Sequence, residues 1–356
     1  MADDTPLGAA GTTVSDPDQP QRLEPGLPPE IASPLAPFAG ARPPAPAWFG
    51  EVLSEEPARS FVSVMGADIE LLTWGDVGKP GLIFVHGNSA HADWWSFIAP
   101  FFAKTHRVAA LSVSGMGGSD WREHYSFEIF ATEIHEAARA AGLYESGAAP
   151  VYIGHSFGGS QVYYSAAHHP QRMSACLLVD VGFGGPPSRE EAERLEREAI
   201  AAGGAPGRWR GPSMRGGPHR VYPSLEMALA RFRFMPPQVP GNLYVADFIA
   251  RRSLKRAPVS EGAEEGWTWK FDPGLWNKLE RSGFESPDVV TGVPMAHIYG
   301  ARSAIIQRHG GDGGAPDRLP PATPRIVIPD SEHHIMVDQP LALVAALRAV
   351  LAMWNL

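Results

Sequence analysis

Residues 154–159, which read Gly-His-Ser-Phe-Gly-Gly, constrain the fold of this chain more than any other segment. They follow an apolar run at 151–153 and precede a helix-like pattern that extends to residue 168. A sharp turn from a strand into a helix lets a serine hydroxyl project clear of the sheet, and nearby glycines remove the Cβ atoms that such a turn excludes. The pattern favours Ser156 as a nucleophile. A chance match is the alternative in a chain with 38 glycines.

Two further motifs stand in the order that one fold requires. A buried strand at 81–85 ends in His86-Gly87-Asn88, and a strand at 325–328 is followed by a histidine pair and a Gln-Pro helix start. With these motifs the chain resembles the α/β-hydrolase superfamily from about residue 61 onward. The likeness is to serine-nucleophile members with a helical cap, in the architecture of haloalkane dehalogenases and epoxide hydrolases. It implies a fold without specifying a substrate.

The apolar pattern agrees with that fold class. Residues 60–65 and 69–74 alternate as two antiparallel strands, and strands and helices then follow one another along the chain. The predicted strands are 82–85, 106–113, 151–153, 175–179, 295–299 and 325–328, and the predicted helices are 92–103, 127–143, 161–168 and 341–354. This alternation predicts an α/β fold with a doubly wound, mostly parallel sheet.

The composition divides the chain into four parts. Residues 1–46 are rich in Pro, Ala, Gly and Asp, which predicts a disordered tail. The hydrolase core would occupy 47–181 and 294–356. Between them, residues 182–293 predict a mostly helical cap, with helical patterns at 189–202, 224–234, 243–255 and 274–281.

A serine needs a base that takes its proton and an acid that orients the base. The resemblance implies a histidine after the last strand, with the proline of a Gln-Pro helix start seven positions later. Pro340 stands seven residues after His333, which favours His333 as the base and leaves His334 as the alternative.

The acid departs from the commoner family pattern. Many members carry it after the strand that here ends at Tyr299, but Ser303 and Ala304 occupy those positions. Haloalkane dehalogenase-like members place the acid at the end of the preceding strand, where this chain has Asp180. Asp312 and Asp330 remain alternatives.

The fold also implies an oxyanion hole and a pocket under the cap. The oxyanion donors would be the backbone amides of Phe157 and Asn88. Trp94 and His155 are candidate substrate-binding residues, with Trp94 divided between pocket wall and core. Trp267 and Trp269 either line the pocket or form the core of the cap.

Composition and motifs exclude several other classes. With 30 basic and 39 acidic residues, the net charge of −9 argues against nucleic-acid binding. The sequence contains no cysteine cluster, no helical His pair spaced for zinc and no nucleotide-binding loop, so we expect no metal and no cofactor. No signal peptide or membrane-spanning run is apparent, which favours a cytoplasmic protein with a small-molecule substrate. The sequence leaves the oligomeric state open.

Two hypotheses of function follow. The first is a serine hydrolase of a small or medium carboxylic ester, and the second is an inactive ligand-binding protein that retains the fold. Distinguishing them depends on whether a carboxylate reaches the base.

Overall fold

The computed structural model describes residues 27–182, 219–259, 265–280, 291–308 and 319–356. An eight-stranded sheet forms its centre, in the order β1-β2-β4-β3-β5-β6-β9-β10. Its strands are β1 Ala58–Val64, β2 Ala67–Trp74, β3 Gly81–Val85, β4 Arg107–Leu111, β5 Val151–His155, β6 Ala175–Val179, β9 Met295–Gly300 and β10 Arg325–Ile328. The β1/β2 and β2/β4 pairs are antiparallel and the others parallel, which confirms the predicted fold class.

The alternation of side chains across the sheet builds two hydrophobic cores. In β3, Leu82 and Phe84 join one core, whereas Ile83 and Val85 join the other. All four are fully buried, as expected for a strand covered by helices on both faces. The carboxyl ends of the parallel strands therefore form one edge, where loops can bring polar side chains together.

Helices cover both faces of the sheet. Described helices are α1 Pro29–Ala32, α2 Ala47–Leu53, α3 Pro100–Ala103, α4 Phe127–Ala140, α5 Phe157–His168, α6 Leu225–Leu229, α7 Leu243–Arg252, α8 Leu275–Lys278, α9 Ala304–Arg308, α10 Ile335–Asp338 and α11 Pro340–Met353. Ser126 begins α4 by accepting a side-chain hydrogen bond from the amide of Ile129. The predicted helix at 92–103 is instead a 3₁₀ turn, Ala92–Trp95, and the separate α3, which starts at a proline. No helix within the described parts of the chain is long and apolar enough to cross a bilayer.

The N-terminal segment differs from the expected disorder through residue 46. Residues 1–26 lie outside the described residues, but the chain from 27 onward contains α1 and a 3₁₀ turn. Leu35 is buried in the core, and Arg251 donates a 2.7 Å hydrogen bond to the carbonyl of Gly40. The proline-rich composition gave no sign of this order, and the partner of Gly40 lies 211 positions away in the sequence.

The segment 182–293, called the cap below, is less helical in its described part than predicted. Helix α7 ends at Arg252, and strand β7 (Leu254–Pro258) pairs with β8 (Glu265–Trp269) as an antiparallel hairpin. The expected helix at 243–255 therefore ends early, because residues from 254 onward pair with the next strand, β8, which the helical periodicity does not reveal. The patterns at 224–234 and 274–281 shorten to α6 and α8. The predicted helix at 189–202 lies outside the described residues.

Candidate active site

Ser156 lies in the sharp turn between β5 and α5. Its backbone has φ 52° and ψ −121°, a conformation that costs free energy for a residue with a Cβ. At this turn, α5 also packs closely against the loop after β3. A Cβ at Gly158 would lie 2.3 Å from the carbonyl oxygen of His86, so only glycine fits at that position.

His333 connects Ser156 to Asp180. The loop after β10 carries His333, whose Nε2 lies 2.9 Å from Ser156 Oγ. Its Nδ1 lies 2.7 Å from Asp180 Oδ1. A carboxylate accepts hydrogen bonds, so Nδ1 carries the proton and Nε2 is free to accept the serine hydroxyl proton. The structure thus brings together the three side chains selected from the sequence.

Asp180 is held by the loop after β9. Gly300 N donates to its Oδ2 at 2.8 Å, and Ser303 Oγ donates to its Oδ1 at 2.6 Å. The carboxylate is fully buried and accepts three hydrogen bonds, as a buried charge requires. Of the rival acids, Asp330 is exposed and pairs with Arg302, while Asp312 lies outside the described residues.

The second histidine of the pair faces the cap. His334 Nδ1 lies 2.6 Å from Gln238 Oε1, and its ring contacts Trp94 and Phe234. Burial, followed by the neighbouring His333, lowers the pKa of His334 well below its ordinary value. His334 is therefore a neutral packing residue in this arrangement, and the structure favours His333 as the histidine next to the serine.

His155 is fixed behind the site. Its Nε2 lies 3.1 Å from the carbonyl oxygen of His333, and only 2% of the residue is exposed. Burial and the adjacent His333 hold the pKa of His155 well below its ordinary value, so its ring stays neutral. In this arrangement the ring makes a contact inside the protein, and substrate binding by His155 stays a prediction.

Of the two predicted oxyanion donors, Phe157 lies at the start of α5 and Asn88 lies on the loop after β3. Phe157 is the first residue of α5, where a backbone N–H has no acceptor within its own helix. Asn88 follows Gly87, whose Cβ position would lie 3.2 Å from Ser156 Cβ. His86 braces the loop after β3, since its Nε2 accepts a hydrogen bond from Val113 N. Burial lowers the pKa of His86 to about 4, which keeps that acceptor unprotonated.

The tryptophan candidates fall into two groups. Trp94 is 6% exposed and packs edge-on against Phe234 of the cap, next to His334. Trp269 packs against Tyr222 and Phe232, and Arg256 covers the Trp267 ring. These last contacts lie within the cap, which is the second of the two interpretations made from the sequence. Substrate binding by any of the three rings stays a prediction.

Three polar residues around the site were missed by the sequence analysis. Ser303 was noted only because it replaces a carboxylate, yet it holds Asp180. Gln238 and Asp338 are buried and hydrogen-bonded to each other across 100 residues of sequence. The position of Asp338 directly before the Gln-Pro motif was a signal in the sequence, whereas Gln238 carried none. Across the described ranges, no group of three or more His, Cys, Asp or Glu side chains is arranged to hold a metal ion.

Comparison with known proteins gives a consistent family. Residues 82–347 match the model of the Alpha/beta hydrolase family. Among curated proteins, the chain is 29% identical to Lipase LipV of Mycobacterium tuberculosis over 114 residues, which span 32% of this chain and only 41% of the lipase. It is 24% identical to Esterase Rv0045c of the same organism over 308 residues, which span 81% of this chain and 88% of the esterase.

Solved structures agree on the fold. The crystal structure of Esterase Rv0045c matches with a TM-score of 0.54 and 20% identity, covering 92% of this chain and 99% of that one. A thioesterase domain from the curacin biosynthetic pathway matches with a TM-score of 0.59 and 18% identity, covering 82% and 98% of the two chains. At such identities the likeness shows the fold alone.

Proposed function

Because the chain belongs to the alpha/beta hydrolase family, we propose that it is a serine hydrolase that cleaves a small or medium carboxylic ester through an acyl-enzyme. The observation that carries this proposal is the continuous hydrogen-bonded chain from Ser156 through His333 to Asp180. A serine hydroxyl is a weak nucleophile unless a base accepts its proton as it attacks, and this chain supplies the base and its orienting acid.

Acylation uses each of the three side chains. Ser156 Oγ attacks the ester carbonyl carbon while its proton passes to His333 Nε2. Asp180 balances the resulting imidazolium charge through the hydrogen bond to Nδ1. The backbone N–H groups of Phe157 and Asn88 stabilise the negative oxygen of the tetrahedral intermediate. His333 then gives its proton to the departing alkoxide, so that the alcohol leaves and the acyl group stays on Ser156.

Deacylation repeats these steps with water. His333 accepts a proton from a water molecule that attacks the acyl carbonyl, and it returns that proton to Ser156 Oγ as the acid is released. Thioesters, lactones, amides and some carbon–carbon bonds would react through the same residues. Relatives named as an esterase and a lipase favour a carboxylic ester.

Two alternatives fit less well. Epoxide hydrolases and haloalkane dehalogenases of this architecture attack with a carboxylate, whereas position 156 is serine. The ligand-binding hypothesis rested on the absence of a carboxylate after β9, and the 2.7 Å contact between Asp180 and His333 removes that reason for it.

A p-nitrophenyl ester series from acetate to laurate tests the proposal. We expect release of p-nitrophenol by the wild type, with a maximum at one acyl length, and about a 10⁴-fold or greater loss of kcat in Ser156→Ala. The same rate in both proteins would contradict it, as would a folded wild type inactive on every ester and on the matching thioesters.

A further inference from the structure

The peptide group that joins His333 to His334 is held from both sides. Its carbonyl oxygen lies 3.1 Å from Nε2 of His155, and its N–H donates to Oε1 of Gln238 at 2.9 Å. We propose that Gln238 and His155 are positioning residues that fix the base His333 through this one peptide group. This inference rests on the proposed function, in which His333 is the base.

Gln238 has a single consistent orientation. Its Nε2 lies 3.0 Å from each carboxylate oxygen of Asp338, which can only accept hydrogen bonds. The amide oxygen therefore points to His334, where it accepts from both the backbone N–H and Nδ1–H. With 1% of the residue exposed, water cannot replace these bonds without a structural change.

Asp338 fixes Gln238 in turn. Its carboxylate also accepts from Gly241 N at 3.0 Å and from Glu332 N at 2.8 Å. Gly241 belongs to the cap and Glu332 directly precedes His333. The carboxylate therefore joins the cap to the start of the histidine loop, while Gln238 joins the cap to the peptide that follows His333.

His155 contacts the other side of this peptide group, at the carbonyl oxygen of His333. A carbonyl oxygen accepts hydrogen bonds, so the His155 proton must be on Nε2. Because His155 directly precedes Ser156, this bond ties the backbone of the nucleophile to the backbone of the base. The rings of His155 and His333 lie close, with centroids 4.8 Å apart.

Catalysis is sensitive to such positioning. The proton transfer depends on the 2.9 Å separation between Ser156 Oγ and His333 Nε2, and displacements of about 1 Å can cost 10²-fold in rate. A residue that fixes the His333 backbone should therefore affect kcat and leave substrate binding nearly unchanged.

Gln238→Met tests the cap side of this arrangement. Methionine has a similar length and removes both bonds to His334. The matched control is Asn242→Ala. It also deletes two bonds between the cap and the segment after His333, from Asn242 Nδ2 to the carbonyls of Val337 and Asp338 in α10, but it touches neither side of the 333–334 peptide. With p-nitrophenyl butyrate, we expect kcat to fall about 30-fold in Gln238→Met, with KM within about twofold, and kcat to fall less than about threefold in the control.

The His155 side is tested by retaining or removing its N–H. His155→Gln keeps a donor for the His333 carbonyl, whereas His155→Leu does not, so glutamine should retain more kcat than leucine. Because both sides act on one peptide group, the combined His155→Leu and Gln238→Met variant should lose less than the product of the single losses. Independent, multiplicative losses would contradict a shared target.

A measurement that does not depend on turnover tests the positioning role of Gln238 separately from the proposed ester hydrolysis. In ¹H NMR, the proton between His333 Nδ1 and Asp180, assigned by its loss in Asp180→Asn, should give a low-field signal in the wild type and in Asn242→Ala. We expect that signal to broaden or vanish in Gln238→Met. A signal unchanged in Gln238→Met overturns the positioning role, whether or not the wild type hydrolyses esters. An inactive wild type with the expected NMR changes would overturn only the ester hydrolase.

Discussion

Ser303 Oγ donates a 2.6 Å hydrogen bond to the Oδ1 atom of Asp180. The same oxygen accepts from His333 Nδ1, and Ser303 stands after β9, where many relatives carry the acid itself. Ser303 therefore donates a hydrogen bond to the carboxylate from a position where it does not supply a carboxylate itself. In the proposed triad, the acid stands after β6 and a hydroxyl donor stands after β9.

Ser303→Ala should weaken the hold on the acid without removing it. Gly300 N and His333 still contact Asp180, so we expect kcat to fall about tenfold, consistent with loss of one hydrogen bond to a charged group, while KM stays within about twofold. Ser165→Ala is the matched control, because this buried serine donates to Gln161 O within α5 and lies outside the site. Equal kcat values for the two variants in p-nitrophenyl butyrate assays would contradict the role of Ser303.

Asp180→Asn should lower kcat far more than Ser303→Ala does. An asparagine can present its N–H to His333 Nδ1, which favours the wrong tautomer and leaves the imidazolium unbalanced, so we expect kcat to fall roughly 10³ to 10⁴-fold. Asp330→Asn removes the exposed rival acid and should change kcat by less than about twofold. Steady-state kinetics of both variants measure the difference. A larger loss in Asp330→Asn would mean that the acid is misassigned.

The turn at Ser156 should not tolerate a methyl group at Gly158. The added Cβ would meet the His86 carbonyl at 2.3 Å, so Gly158→Ala must displace α5 or the loop after β3. We expect a loss of about 2 kcal/mol or more in unfolding free energy, together with loss of esterase activity. Gly50→Ala in α2 is the control, since nothing lies within 4 Å of its Cβ position. It should stabilise the fold by about 0.5 to 1 kcal/mol in urea unfolding. Comparable stability of the two variants would contradict the close packing at Gly158.

Acid should destabilise the protein through buried histidines. Burial lowers the pKa of His297 to about 3, and its Nε2 accepts a hydrogen bond from Val181 N. Above pH 6.5 this histidine is neutral in both the folded and unfolded states. Below pH 6.5 the unfolded state binds the proton first, so stability falls by up to about 1.4 kcal/mol per pH unit until the folded pKa is reached.

His297→Gln should remove that part of the pH dependence. Urea unfolding between pH 6.5 and 4.5 should show a slope about 1 kcal/mol per pH unit shallower than in the wild type. The control is His124→Gln, at an exposed histidine that pairs with Glu280, and it should change the slope less than His297→Gln does. An unaltered slope in His297→Gln would show that the histidine is not buried and neutral.

The family resemblance implied His333 and Asp180. Local sequence signals predicted the strands of the central sheet and favoured Ser156. These features depend on short segments whose geometry is set by near neighbours, such as a strand followed by a glycine-rich turn. Gln238 and Ser303 were not predicted, because their roles depend on partners 100 or more positions away in the sequence. The β7–β8 hairpin was not predicted, because its first strand continues directly from the helical pattern of α7. The register of a hairpin and the partner of a buried amide are set by tertiary packing, which local periodicity does not encode.

The most direct test of the account is covalent labelling with a fluorophosphonate, followed by intact mass and peptide mapping. The reagent phosphonylates a serine only when a base activates it. We expect one label per chain on Ser156, absent in Ser156→Ala and strongly slowed in Asp180→Asn. A folded wild type that takes no label, or takes it equally in Ser156→Ala, would contradict the proposed nucleophile.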